Sequence, residues 1–348
     1  MSLSESLDAK IVGSLPFGTC ERAKIAAEAQ ATIAKGSKSF AAAARLFDRD
    51  TRASAMMLYA WCRHCDDVVD DQILGFRQKG RISDLSAEER LRELETKTLA
   101  AINGSRTGEA AFDAIGDVAL RHDLPDALVI AHLEGFRMDV DGRVYETIED
   151  TLDYCYCVAG VVGVMMARVM GVRPGGFGGE AVTRTLDRAC DLGMGFQLTN
   201  IARDIVEDAE AGRVYVPAEW LRDLGLDRRD LHLARNRKAA AELAFRLIDL
   251  AEPYYASASH GLAALPPRAA WAVATALGVY RDIGMVIRKR REAAWDDRAS
   301  TGAAAKFAHA ARGAGRTLGS RVFKGGHGRP DDLWTRPRFA ALGDASDR

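Results

Sequence analysis

Residues 59–71 read YAWCRHCDDVVDD, with acids crowded against Trp61, Val68 and Val69. Read as a helix at about 100° per residue, Tyr59, Arg63, Asp66 and Asp70 stand at i, i+4, i+7 and i+11 and fall within a sector of about 60°. One stripe then carries a phenol, a guanidinium and two carboxylates. Asp67 is rotated about 100° from Asp66, so it is expected to support its neighbours or to meet solvent.

Outward from this stretch, apolar residues recur at helical spacing almost everywhere, and alternating runs bounded by turns are hard to find. The chain reads as all-α. The spacing predicts helices over about 21–34, 40–46, 51–73, 86–102, 109–121, 125–138, 148–170, 180–208, 217–223, 236–260 and 267–295. Ser86-x-x-Glu89 is a capping box and Thr147-x-x-Asp150 resembles one, while Gly171, Pro174, Gly225 and Pro266-Pro267 are stop signals. No repeat or linker-like composition divides the middle of the chain. One large helical domain is therefore expected over 20–306, between an N-terminal extension, 1–19, and a basic, glycine-rich, mobile tail, 307–348. The run Gly175-Gly176-Phe177-Gly178-Gly179 follows a helix and lacks both the G-x-G-x-x-G spacing and a Walker lysine, so it reads as an interhelical loop.

Composition narrows the function classes. Lys plus Arg, 48, nearly balances Asp plus Glu, 49, so no overall field argues for nucleic acid and any electrostatic role must come from local clusters. The first residues, MSLSESLDAKIVGSLPFG, show early acids and no apolar signal region, and a cytoplasmic location is expected. The longest uncharged apolar run, Tyr154–Ala167, is 14 residues, short of the roughly 18 that suggest a membrane span. Six cysteines in 348 residues are too few for a disulfide scaffold and are expected to be thiols. Cys62-x-x-Cys65 resembles half a zinc site, but Cys155-x-Cys157 has the wrong spacing for the other half.

A second stripe shares the grammar of the first. In QLTNIARDIVED, Gln197, Asn200, Asp204 and Asp208 stand at i, i+3, i+7 and i+11, within a sector of about 80°. Two readings stay open on these residues alone: solvated outer faces, or two halves of a ligand site. Carboxylates about 6 Å apart repel by roughly 3 kcal/mol at an effective dielectric near 20, so a protected site needs countercharge. Magnesium, a hard ion held by one or two carboxylates with waters and phosphates, would answer that need. Arg63 lies on the first stripe, and Arg203 and Arg213 flank the second, where guanidinium forks suit phosphate oxygens. Ser37-Lys38-Ser39-Phe40 adds hydroxyls and an ammonium before a helix. In YCYCVAGVVGVMMARVMG, Gly160 and Gly163 mark close approach by something, either a packed helix or a long apolar chain. Tyr59, Tyr154 and Tyr280 offer aromatic faces to a cation, or are core residues.

Taken in order, SKSF, YAWCRHCDDVVDD, YCYCVAGVVG, QLTNIARDIVEDAEAGRVYVP and the late Tyr280, Arg298 and Lys306 resemble the squalene/phytoene synthase family, nearest its bacterial phytoene-forming members. The likeness covers about residues 20–306 and runs between motifs, for example through EPYYASASHGLAALPPRAAWAVATA. It implies a single helical bundle around a central cavity, the class I isoprenoid synthase fold, with two aspartate-rich helices facing each other at its mouth. It implies that Asp66 and Asp70, with Asn200, Asp204 and Asp208, bind Mg²⁺ or Mn²⁺. Ser37, Lys38, Ser39, Tyr59, Arg63, Gln197, Asn200, Arg203, Arg213, Tyr280 and Arg298 would surround the diphosphates of two prenyl diphosphate substrates. Asp66, Asp70, Asp204, Asp208, Arg63 and Tyr154 would be catalytic, with Tyr154 or a departing diphosphate as the base.

The implied reaction is head-to-head condensation of two geranylgeranyl diphosphates through prephytoene diphosphate to phytoene, in carotenoid biosynthesis, without NADPH. The alternatives are squalene or dehydrosqualene synthesis from farnesyl diphosphate and a non-catalytic assembly protein of the same fold. Peripheral membrane contact, through the basic tail and Arg288-Lys289-Arg290-Arg291, is expected for a hydrocarbon product, as are contacts with other carotenoid-pathway enzymes.

Overall fold

A computed structural model gives the fold and describes residues 17–36, 43–73, 76–77, 83–173, 182–297, 299, 302–322, 328–339 and 342. The chain is all-α, as its periodicity predicts. Among the described residues the extended pieces are two-residue strands, Gln72–Ile73 and Phe76–Arg77, paired antiparallel just after the acidic stretch. Where the sequence suggests one domain over 20–306, the helices form two compact units, 1–140 and 141–348. Composition gives no sign of this boundary because a tight turn, not a linker, makes it: Gly142 takes φ 62°.

The first unit contains α1 (Thr19–Gly36), α2 (Arg49–Val69), α3 (Ala87–Ile102), α4 (Ala110–His122) and α5 (Asp126–Val140). Asp48 starts α2 by accepting from the amides of Asp50 and Thr51 at 3.1 and 3.0 Å. The buried face of α2 includes Met57, Leu58, Trp61 and Cys65. Trp61 is fully buried, donates to Thr98 Oγ1 at 3.3 Å and lies 5.1 Å from the His132 ring. That burial turns the opposite stripe, with Tyr59, Arg63, Asp66 and Asp70, away from the unit's core. Weakly amphipathic α1 is tied down by charge: buried Asp117 accepts from Arg22 Nε at 2.9 Å and from the Phe17 amide at 3.0 Å.

The second unit contains α6 (Ile148–Cys155), a π-helical turn over Tyr156–Gly160, α7 (Val161–Val169), α8 (Val182–Glu210), α9 (Ala218–Asp223), α10 (Arg237–His260), α11 (Pro267–Arg290) and α12 (Ala303–Val322). Both expected capping boxes, Ser86/Glu89 at α3 and Thr147/Asp150 at α6, are formed. The glycines of the α6–α7 region are resolved in favour of packing. A Cβ at Gly163 would stand 2.2 Å from the Ala189 carbonyl oxygen, and one at Gly193 would stand 2.2 Å from that of Ala159, so the backbones of this region and of α8 touch. Stretches Ile148–Val169 and Pro267–Trp295 are long and apolar enough to cross a membrane, but they are core helices with 61% and 56% of their apolar windows buried.

Where the tail is described it departs from the expected mobile segment; residues 323–327, 340–341 and 343–348 lie outside the described residues. The boundary at 306/307 cuts through α12, and residues 328–339 form a strap across the second unit. Arg329 clamps fully buried Asp191 through Nε at 2.9 Å and Nη2 at 2.8 Å, while Arg336 Nε lies 2.9 Å from Asp187 and Arg338 also meets Asp187. Trp334 donates to Asp153 at 2.9 Å and lies 4.9 Å from the Tyr156 ring. Buried carboxylates on α8 need cations, and the strap supplies them. The expected extension 1–19 lies outside the described residues up to position 16; Phe17 is already buried.

Candidate active site

The two acidic stripes share an electrostatic position. Each lies near the C-terminus of its helix, where the macrodipole is negative, and neither α2 nor α8 carries a basic residue in its last turn. Carboxylates there are unfavourable for the helix by tenths of a kcal/mol each, roughly, and concentrate negative potential suited to a cation.

On α2, Arg63 pairs with Asp66 one turn on. Burial works against the Arg63 charge, but Asp66 first, and then Tyr59 and Asp67, outweigh it and hold the guanidinium above its ordinary value. The helix end is fixed from α3: Arg90 donates to the carbonyls of Val68 and Val69 at 2.8 and 2.9 Å, and to Leu85 at 2.7 Å. Arg90 thus supplies the C-terminal cation that α2 lacks. Asp70 is the C-cap, and Asp71 beyond it takes φ 53° and accepts from the Ser83 amide at 3.1 Å. Asp67 separates from Asp66 and Asp70, as its rotation predicts. With His64, Asp71, Lys97 and Glu109 it lines a cleft of about 630 Å³ within the first unit, which Arg63 also borders.

On α8, Arg203 chelates its neighbour Asp204, with Nε 2.8 Å from Oδ1 and Nη2 on Oδ2. Burial again opposes the charge, and Asp204, Tyr280 and Asp208 overcome it, so the guanidinium is held above its ordinary value. Gln197 Oε1 accepts from Asn200 Nδ2 at 3.3 Å, leaving Asn200 Oδ1 buried with no hydrogen-bond partner among the described residues. Gly212, at φ 83°, turns the chain so that the Arg213 amide donates back to the Asp208 carbonyl at 2.8 Å, returning Arg213 to the acidic end of α8. Tyr280, on α11, stacks on Phe196 with centroids 4.0 Å apart. The second unit therefore brings Gln197, Asn200, Arg203, Asp204, Asp208, Arg213 and Tyr280 to α8, the turn that follows it and the neighbouring α11.

Tyr154 is buried at the end of α6, stacked on Tyr215 at 4.5 Å, with Tyr145 5.4 Å away. Ser37, Lys38, Ser39, Arg298 and the glycine run at 175–179 lie outside the described residues. Cys62 and Cys65 are thiols within α2, and burial pushes Cys62 up to about 12. Sequence reasoning missed Arg90, Phe196 and the strap. Phe196 had a usable signal, one residue before the stripe; Arg90 had none, because it acts on a helix end far from it in sequence.

The donor set fits a hard divalent cation. As oxygen donors the stripes offer carboxylates, the amides of Gln197 and Asn200 and the Tyr59 phenol, and Asn200 Oδ1 has no hydrogen-bond partner among the described residues. No group of three or more His, Cys, Asp or Glu is gathered into a cage among the described residues. Mg²⁺ does not need one, since waters and substrate phosphates complete its octahedron.

The all-α architecture is the isoprenoid synthase fold, as solved structures of that fold show. A solved dehydrosqualene synthase superposes with a TM-score of 0.73 over 86% of this chain and 99% of that one, at 25% identity. A squalene synthase from Alicyclobacillus acidocaldarius, at 22% identity and a TM-score of 0.63, shares the fold over 81% of this chain and 97% of its own. The sequence model of the squalene/phytoene synthase family matches residues 33–304, and the chain belongs to that family. Its members use prenyl diphosphates and generally depend on a divalent metal. The chain is 52% identical to the 15-cis-phytoene synthase of Pantoea ananas over 88% of its length and 96% of the relative's. It is 54% identical to that of Enterobacter agglomerans, over 87% and 99%.

Proposed function

We propose that the chain is a prenyltransferase that joins two molecules of geranylgeranyl diphosphate head to head, through prephytoene diphosphate, to phytoene. The observation that carries this reading is identity of 52% and 54% with curated 15-cis-phytoene synthases over nearly their whole length. Likeness to the solved dehydrosqualene synthase is half that, 25%, which disfavours a farnesyl substrate. Both acidic stripes are complete, which disfavours a non-catalytic assembly role.

Asp66 and Asp70, and Asn200, Asp204 and Asp208, would hold Mg²⁺ or Mn²⁺, which would supply Lewis-acid charge to the departing diphosphate. The chain's own residues do the rest. Arg63, Arg203 and Arg213, with Tyr59, Gln197 and Tyr280, bind phosphate oxygens and stabilise the charge that develops on ionisation. By family resemblance Ser37, Lys38, Ser39 and Arg298 join them. Loss of diphosphate leaves an allylic cation, which the second substrate's double bond captures; proton loss then closes the cyclopropane. A second ionisation, rearrangement and proton loss give the hydrocarbon, so no hydride donor is required. Tyr154, in its aromatic cluster, offers a π face to the cation, and it or the departing diphosphate takes the proton. Apolar surroundings keep water from each cation.

A C40 hydrocarbon leaves for water only at great cost, which supports release at a membrane surface by an enzyme of the cytoplasm. The test is product analysis of the purified chain with C15 or C20 diphosphate and Mg²⁺, with and without NADPH. C40 hydrocarbon without NADPH is expected. A C30 product would overturn the substrate, and a requirement for NADPH would overturn the reaction.

A further inference from the structure

Helix α12 presents two unlike faces. Its inward stripe, His309, Gly313 and Thr317, is buried. His309 Nε2 lies 2.9 Å from Asp282, Trp271 Nε1 donates to the Ala310 carbonyl at 2.7 Å, and Arg321 Nη2 donates to the Leu265 carbonyl at 2.8 Å. Phe307 and Leu318, eleven residues apart and about 20° from each other around the axis, are turned roughly 120–140° from the centre of that stripe. They are 79% and 68% exposed, the two most exposed large apolar side chains among the described residues. Exposed Ala304 and Ala311 share their face. Exposed Arg312 and Arg316 follow on one side of it, about 80° and 120° beyond Ala304, and the helix holds four cations, Lys306, Arg312, Arg316 and Arg321, without one carboxylate.

Scattered exposed hydrophobes need no explanation; the two largest exposures on one stripe of one helix whose charges are all positive do. An apolar stripe with a cationic border is the pattern of a helix lying in a lipid interface. A protein partner of matching shape would have to be acidic as well as apolar, which anionic lipid already is.

We propose that α12 docks the enzyme on an anionic lipid surface, with Phe307 and Leu318 entering the acyl boundary and Arg312 and Arg316 meeting headgroup phosphates. This rests on the membrane-surface reading above and names the element that makes the contact. Residues Arg288–Arg291, the other basic cluster, are partly committed: Arg288 pairs with Asp249 and donates to the Phe245 carbonyl.

The test is flotation of the full chain at low salt with vesicles of phosphatidylcholine alone or mixed with phosphatidylglycerol. Wild type floats only with the anionic vesicles. Phe307→Gln with Leu318→Gln, and separately Arg312→Glu with Arg316→Glu, lower partitioning, the charge pair by about thirtyfold or more. Detergent-supported turnover and thermal melting stay as in wild type, since all four side chains are exposed. Flotation of both variants like wild type overturns the assignment, as does loss of a dimer on gel filtration with lipid binding intact, which would give the face to a second copy. Wild type that makes phytoene but never floats sinks the docking and leaves the catalytic reading standing. Flotation lost in the variants, with no C40 product from wild type, supports the docking and sinks the catalytic reading.

Discussion

On α2 the arginine that meets a stripe carboxylate is Arg63, one turn upstream of Asp66, and the two side chains keep 25% and 45% of their exposure. On α8 it is Arg203, the immediate neighbour of Asp204, and each keeps 15%. The α8 stripe is also walled by Phe196 and Tyr280 and seated on a helix whose backbone touches that of the α6–α7 region. Near-identical spacing thus yields one open stripe and one prepacked stripe. Charge compensation on α2 stands at the surface; on α8 it is part of the packing.

That contrast can be broken by measurement. Asp204→Ala strands a largely buried guanidinium and should lower unfolding stability by about 2–4 kcal/mol, whereas Asp66→Ala, at a half-exposed pair, should cost under about 1 kcal/mol. Denaturant melts compare them, and equal losses would erase the distinction. Gly163→Ala drives a methyl against the Ala189 carbonyl and should cost about 1–3 kcal/mol despite a better helix propensity; a stabilised variant would mean that α8 is not held by that contact. Arg90→Ala should cost about 1–2 kcal/mol by removing the cap from the α2 C-terminus. Hydrogen exchange should show the loss as fraying of residues 66–69, and protection unchanged there would remove Arg90 from the account.

The smallest effect is set by pH. Amides at Thr147 and Ser86 hold the Asp150 and Glu89 carboxyls below their ordinary values. The unfolded chain therefore takes up protons first as pH falls. The stability these caps contribute is present above the ordinary carboxylate range and is lost as pH drops through the depressed values. Glu89→Gln with Asp150→Asn, which remove the titrating carboxyls, should flatten the acid limb of stability against pH below about pH 5, and an unchanged limb would contradict it.

Much of this was legible beforehand. The stripes, both capping boxes and helices from 148–169 to 237–260 follow from 3.6-residue periodicity and from side chains that bond within their own turn. What escaped depends on distant partners. RPDDLWTRPR looks like a solvated tail because it has no period, and its order comes from Asp187 and Asp191, carboxylates that would read as an α8 surface. The π turn at Tyr156–Gly160 is imposed by the close approach of α8, a tertiary constraint no local propensity encodes. The boundary at Val140 is hidden for the same reason, since a glycine turn between helices looks alike within a domain and between two.

The central proposal is that the open and the prepacked stripe serve one reaction, the ionisation of prenyl diphosphate. Diphosphate release from geranylgeranyl diphosphate, measured under saturating Mg²⁺ for wild type, Asp66→Asn and Asp204→Asn, tests it directly. Both substitutions should cut release by about 10²–10³-fold or more. Release at the wild-type rate from either variant would contradict it.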